Sequence, residues 1–190
     1  MITAIFANTA ANVEHARLIA FHHRDPRGLE EVAGRPQLVA DPLVHRRLVR
    51  NPGTTEPMIR RLLGNKRLRE VYKISLDRDV PERSRAAART LLRSRWATGQ
   101  AEERVDLVLS TEGRVLMVLT GMTFDSRMTS LLCAKAFNSI MLIQSLARFP
   151  ATPPTLLAHL LRQPMVKRQP QLRNAILQHQ NTPSEAKRRS

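Results

Sequence analysis

Leu156, Leu157, Leu160 and Leu161 fall at i, i+1, i+4 and i+5, and Met58, Ile59, Leu62 and Leu63 repeat that spacing ninety-eight positions earlier. The period lines up four apolar side chains as one stripe on a helix. The residues in front of each stripe also match, reading FPATPPT at 149–155 and NPGTTEP at 51–57. Pro150 and Pro52 disfavour helical angles in the residue before them, so a preceding helix ends there. Thr152 and Thr54 have the chemistry of N-caps, with hydroxyls that accept from an orphan backbone N–H. Pro153 suits the first helical position, and Glu56 and Pro57 fall in a first turn. A third copy, QHQNTPSEAKR, has Thr182 as cap, Pro183 as start and Glu185 completing a T-x-x-E capping box. RDVPERSRAAARTLL is a fourth start, with Asp79 beside the cap and Pro81 in the first turn.

These signals predict an all-α chain of short helices near 13–22, 27–33, 41–50, 55–64, 66–76, 81–97, 101–110, 113–120, 126–137, 139–148, 153–163, 166–179 and 183–189. None is long enough to bury its stripe alone, and stacking of neighbours into a shared core is the usual solution. We expect one curved repeat domain over 1–190, with a weak division near 97–101. One stretch, VDLVLSTEGRVLMVLT, also reads as two strands about a Thr-Glu-Gly turn. A lone hairpin in a helical protein is marginal, which favours helices over 105–120.

Totals narrow the class. The chain has 190 residues, 42% hydrophobic and 25% charged, in the range of globular domains. The stretch free of charge from Ala136 to Ala147 is too short to span a bilayer. The start, MITAIFANTAANVEHARL, lacks the basic region of a signal peptide, so a cytoplasmic protein without membrane contact is expected. Cys133, the single cysteine, sits among apolar neighbours in SLLCAKAF and reads as a small core residue; no cysteine-based zinc site is available.

The phrase N-P-x-T followed by two apolar residues and a Leu-Leu pair, together with LRNAILQHQNTPSEAKR, resembles bacterial helical-repeat proteins of the HEAT-like and leucine-rich-repeat-variant type. Matches at 48–63, 146–161 and 172–187 cover roughly a quarter of the chain. The resemblance implies a right-handed α-solenoid used as a binding surface, with no catalytic residues and no cofactor. The leucine-rich-repeat-variant prototype carries a cysteine-ligated iron–sulfur cluster, which one cysteine cannot reproduce. Some HEAT-like proteins are DNA glycosylases for alkylated bases, and that activity is a minor alternative here.

Enzyme motifs are missing: there is no G-x-S-x-G, P-loop, G-x-G-x-x-G or H-E-x-x-H. His22, His23 and Asp25 are the nearest approach to a metal set, but adjacent histidines diverge on a helix end, and no metal is expected. His45, His159 and His179 stand singly within helices. Trp96, the only tryptophan, reads as an interhelix anchor in preference to a ligand platform.

Charge carries the functional clue. The net charge is +15, and the excess is nearly all arginine, 26 Arg against 5 Lys. Residues 46–95 hold 15 basic and 5 acidic side chains and residues 148–190 hold 8 and 1, while 1–45 and 96–147 each have a net charge of −1. The candidate polyanion contacts are Arg46, Arg47, Arg50, Arg60, Arg61, Lys66, Arg67, Arg69 and Lys73, the four-spaced Arg85, Arg89 and Arg93, and Arg162, Lys167, Arg168 and Arg173. Like charges four apart oppose a helix by a few tenths of a kcal/mol per pair, so the ridge suits an external anion. Nucleic acid, DNA or RNA, is the expected partner, held through its phosphates. With 4% aromatic residues, backbone contact and low sequence specificity follow. An acidic protein is the alternative, since the guanidinium fork pairs readily with carboxylates.

Overall fold

A computed structural model describes residues 12–188. Every regular element among them is helical, and there is no strand. In chain order these are α1 (Val13–His22), α2 (Pro26–Ala33), α3 (Pro36–Val39), α4 (Pro42–Arg50), α5 (Glu56–Gly64), α6 (Leu68–Leu76), α7 (Glu82–Thr98), α8 (Ala101–Ser110), a 3-10 turn (Arg114–Met117), α9 (Ser126–Cys133), α10 (Ile140–Arg148), α11 (Pro154–Arg162), α12 (Pro164–Lys167), α13 (Pro170–Gln178) and α14 (Ser184–Arg188). The leader reading of MITAIFANTAA and the terminal Arg189 lie outside the described residues.

The stripes behave as their spacing predicts. Met58, Ile59, Leu62 and Leu63 are buried, as are Leu156, Leu157 and Leu160, while Leu161 stays half-exposed. Proline sets most of the remaining boundaries. Pro36, Pro42, Pro154, Pro164 and Pro170 each open a helix, where the missing N–H costs nothing. The predicted helix over 166–179 is therefore two pieces, because Pro170 cannot sit in a helix interior. The predicted helix over 126–137 stops at Cys133. The segment 105–120 contains no strand: α8 runs to Ser110, with Val105, Leu107 and Val108 buried. Its Thr-Glu-Gly stretch is a turn, with Glu112 at φ 51° and Gly113 at φ 75°. That turn leads into the 3-10 element in place of the predicted helix at 113–120.

The threonines act in the opposite direction from the expected one. The Thr54 hydroxyl donates to the Leu48 carbonyl at 2.6 Å, Thr152 to Leu146 at 2.7 Å, and Thr182 to Ile176. In each case the acceptor lies six residues back, on the end of the preceding helix. The same carbonyl also accepts the backbone N–H three residues on, from Asn51, Phe149 or His179. These threonines close the helix before the turn; the following helices α5 and α11 take Thr55 and Pro153 at their N-caps, neither with a side-chain capping bond. All three are buried, Thr152 completely. Val80, also buried, holds the corresponding place after α6 and has the threonine shape without the hydroxyl.

The chain groups into two compact units that divide between Leu92 and Arg93, within α7. In the first, α1 packs on α4 and α2 on α5. In the second, α9 packs on α8 and α11, and α10 on α13. Trp96 belongs to the core of the second unit, 1% exposed, with its indole N–H donating to the Thr123 carbonyl and its ring edge-on to Phe124. Cys133 is half-buried at the end of α9, and burial pushes its thiol pKa up, away from the reactive thiolate.

Candidate polyanion interface

In the first unit four arginines line one groove of about 300 Å³: Arg24 from the loop before α2, and Arg46, Arg47 and Arg50 from α4. Its apolar part is Phe21, Leu43 and Pro52. Local chemistry brings the two segments together. The Asn51 side-chain amide donates to the carbonyls of Ala20 and His23, both at 2.8 Å, and its oxygen accepts the Gly53 N–H. The end of α4 is thus tied to the end of α1. Gly53 then lies so close to Arg24 that a Cβ there would sit 2.3 Å from the Arg24 carbonyl oxygen. Asp25 accepts the Arg27 N–H and caps α2, which fixes where Arg24 leaves the backbone.

The four guanidinium groups have different surroundings. Arg50 pairs with Asp77 at 2.8 Å and Asp79 at 3.3 Å, and holds Asp77 below the usual carboxylate range. Arg47 donates to the Arg17 carbonyl at 2.9 Å, with its Cζ 5.2 Å from the centre of the Phe21 ring. Arg46 is exposed and feels Asp77 only at longer range. Arg24 is exposed. Neither Arg24, Arg46 nor Arg47 forms a salt bridge among the described residues, so three positive charges in this groove lack a carboxylate in contact.

The other candidates of the first unit divide in the same way. Arg60 pairs with Glu56 at 2.7 Å and Arg61 with Glu30 at 2.6 Å, all half-exposed and worth a fraction of a kcal/mol each. Lys66 lies beside His45, whose burial lowers its pKa and whose Nε2 is 3.1 Å from the Leu62 carbonyl. Arg67, Arg69 and Lys73 point to solvent without a salt bridge among the described residues. Arg85 and Arg89 both contact Glu82, so the pair has a net charge of one with its acid, and Arg89 also reaches the Ser75 carbonyl.

In the second unit Arg93 donates to the carbonyls of Val118 and Thr120 at 3.1 and 3.0 Å. The four-spaced arginines are therefore half-buried and engaged within the protein, a placement that the four-residue period alone does not reveal. Arg162, Lys167 and Arg173 border a groove of about 620 Å³ opposite Glu185. Arg168 borders a separate one of about 400 Å³ beside Phe137 and Gln163. Each unit thus contributes its own basic groove.

Sequence reasoning missed Arg24 and Arg104. Arg104 is 7% exposed, with its guanidinium on Asp125 and 6.0 Å from the Trp96 ring. Asp125 also accepts the Met128 N–H as cap of α9, and that bond, with Arg104, holds its carboxyl below the usual range. Among the described residues no cluster of three His, Cys, Asp or Glu could hold a metal ion. His22 is stacked edge-on to Phe21, and His179 bridges backbone: its Nδ1 accepts from Asn181 N–H and its Nε2 donates to the Phe149 carbonyl. No described helix is long and apolar enough to cross a membrane. No protein-family model, curated protein or solved structure matches the chain.

Proposed function

We propose that this chain is a non-catalytic helical-repeat protein, a right-handed α-solenoid of the HEAT-like or leucine-rich-repeat-variant kind, that binds a polyanion. Nucleic acid is the ligand that the chemistry favours, held through its phosphates with little sequence preference. The carrying observation is the groove of the first unit, where Arg24, Arg46 and Arg47 converge without a carboxylate in contact. A cation already satisfied by an internal acid gains little from a phosphate, whereas an unneutralised one releases a counterion from the ligand. Arg67, Arg69 and Lys73 add positive charge to the first unit, and Arg162, Lys167, Arg168 and Arg173 line basic grooves of the second unit. The solenoid reading draws on the threonine-closed turn recurring at 54, 152 and 182 and on the packing of α1 on α4 and of α10 on α13.

The test is fluorescence anisotropy with labelled DNA and RNA across a salt series. Neutralising three phosphates in the first groove gives a log–log salt slope of about −2 to −3, steeper if the second unit contributes. Arg24→Gln with Arg46→Gln should lower that slope by about 1.4 to 1.8 and weaken binding at least tenfold. Absence of binding at low salt, or binding indifferent to salt, refutes the proposal. Capture of an acidic polypeptide such as polyglutamate with no affinity for nucleic acid would reassign the surface to an acidic protein.

A further inference from the structure

Phe21 is 54% exposed on a chain with few aromatic residues, and it stands inside the basic groove. Its ring is held in place on two sides. The Arg47 guanidinium lies over it, anchored by a bond to the Arg17 carbonyl, and His22 meets it edge-on with centroids 4.7 Å apart. Leu43, 37% exposed, lines the same groove. An aromatic ring that is fixed, more than half open and flanked by unneutralised cations serves neither the core nor a plain phosphate site. Nucleobases present a flat π-face that stacks on such a ring, and this contact is indifferent to base identity.

We infer that the first-unit groove is a single-strand site: one unpaired base stacks on Phe21 while the adjoining phosphates lie on Arg24 and Arg46. This rests on the polyanion reading and narrows it. A duplex keeps its base faces inside the stack and gains nothing from Phe21; a single strand offers them. Arg47 serves twice, stiffening the ring and adding positive charge behind it. Leu43 supplies an apolar edge for the sugar or for the rim of the base.

The experiment compares the full chain with oligo(dT), a duplex of the same length and inorganic polyphosphate, which has the charge without bases. The wild-type protein should bind oligo(dT) more tightly than the other two at equal salt. Phe21→Ala should lower oligo(dT) affinity roughly fivefold to a hundredfold, and Phe21→Tyr should restore it. Affinity for duplex and polyphosphate should fall far less, so that the ratio of oligo(dT) to polyphosphate affinity drops, and Phe21 is exposed enough that unchanged thermal melts should confirm folding. Equal oligo(dT) affinity in Phe21→Ala and wild type, with polyanion binding retained, overturns the single-strand site and leaves the proposed function standing. Loss of discrimination in Phe21→Leu as well as Phe21→Ala supports stacking over mere apolar contact; full activity in Phe21→Leu contradicts it. Failure of all three polyanions to bind removes the underlying reading itself.

Discussion

Replacing Thr152 by valine removes one hydroxyl and keeps the shape of the side chain. In the structure that hydroxyl is fully buried and donates to the Leu146 carbonyl at 2.7 Å. The carbonyl has one other partner, the Phe149 N–H at 3.3 Å, which is long for a backbone bond. Loss of the hydroxyl thus leaves the end of α10 held by a weak contact. A buried neutral hydrogen bond contributes about 1 kcal/mol net, and the valine recovers part of this by avoiding desolvation of a hydroxyl. We expect a loss of about 1 kcal/mol, or about 2–4 °C in Tm for a chain of this size. Urea unfolding followed by circular dichroism measures it, with the m-value unchanged. Thr155→Val, one helical turn onto the exposed surface of α11, is the control and should lie within about 0.5 kcal/mol of wild type. Thr54→Val should behave like Thr152→Val. The converse, Val80→Thr, offers a donor to the end of α6 and should be neutral or stabilising. Equal stability of Thr152→Val and wild type would refute the donor role of these threonines, and with it the physical reason that the turn recurs.

Three further outcomes follow from the packing. Gly53→Ala forces a Cβ against the Arg24 carbonyl and should cost about 2 kcal/mol, read by thermal melting, while also weakening polyanion binding by displacing Arg24. Asp125→Ala strips the cap from α9 and leaves the buried Arg104 charge without its acid, a loss of about 3 kcal/mol or more in urea; Asp125→Asn keeps the cap and should lose less. Asp41 is held at about 2 by the Arg17 guanidinium and by the Val44 and Leu43 N–H groups, against an ordinary value of 3.8. Because its folded pKa is depressed, its contribution is present in full above the ordinary value and is lost as pH falls through that window toward 2. An acid titration of stability should therefore be steeper there for wild type than for Asp41→Asn, and identical slopes would contradict the assignment.

The helical class was legible because a 3.6-residue stripe and a proline in the first turn are local signals, and Met58, Ile59, Leu62 and Leu63 behind Pro57 show both. What the threonines do was not, since a hydroxyl in a turn can bond to the helix before or after it, and only the path of the chain decides. Arginine periodicity at 85, 89 and 93 was equally plain, yet the acceptors that engage these side chains come from Glu82, Ser75 and the turn after the 3-10 element. Glu82, three residues before Arg85, was a visible i, i+3 signal for one of those pairs; the carbonyls of Val118 and Thr120 had none. Arg24 gave no sign in HHRDPRG, because its place in the groove depends on Asn51 and Gly53 reaching back to the loop after α1. Phe21 gave no sign for the same reason: nothing local says that α4 leaves its ring uncovered.

The most direct measurement is the salt dependence of oligo(dT) binding for wild type against the Arg24→Gln, Arg46→Gln double variant. Wild type should show a steep inverse dependence and the variant a slope shallower by about 1.4, with both proteins melting alike. Superimposable salt plots, or no binding of wild type at low salt, would contradict it.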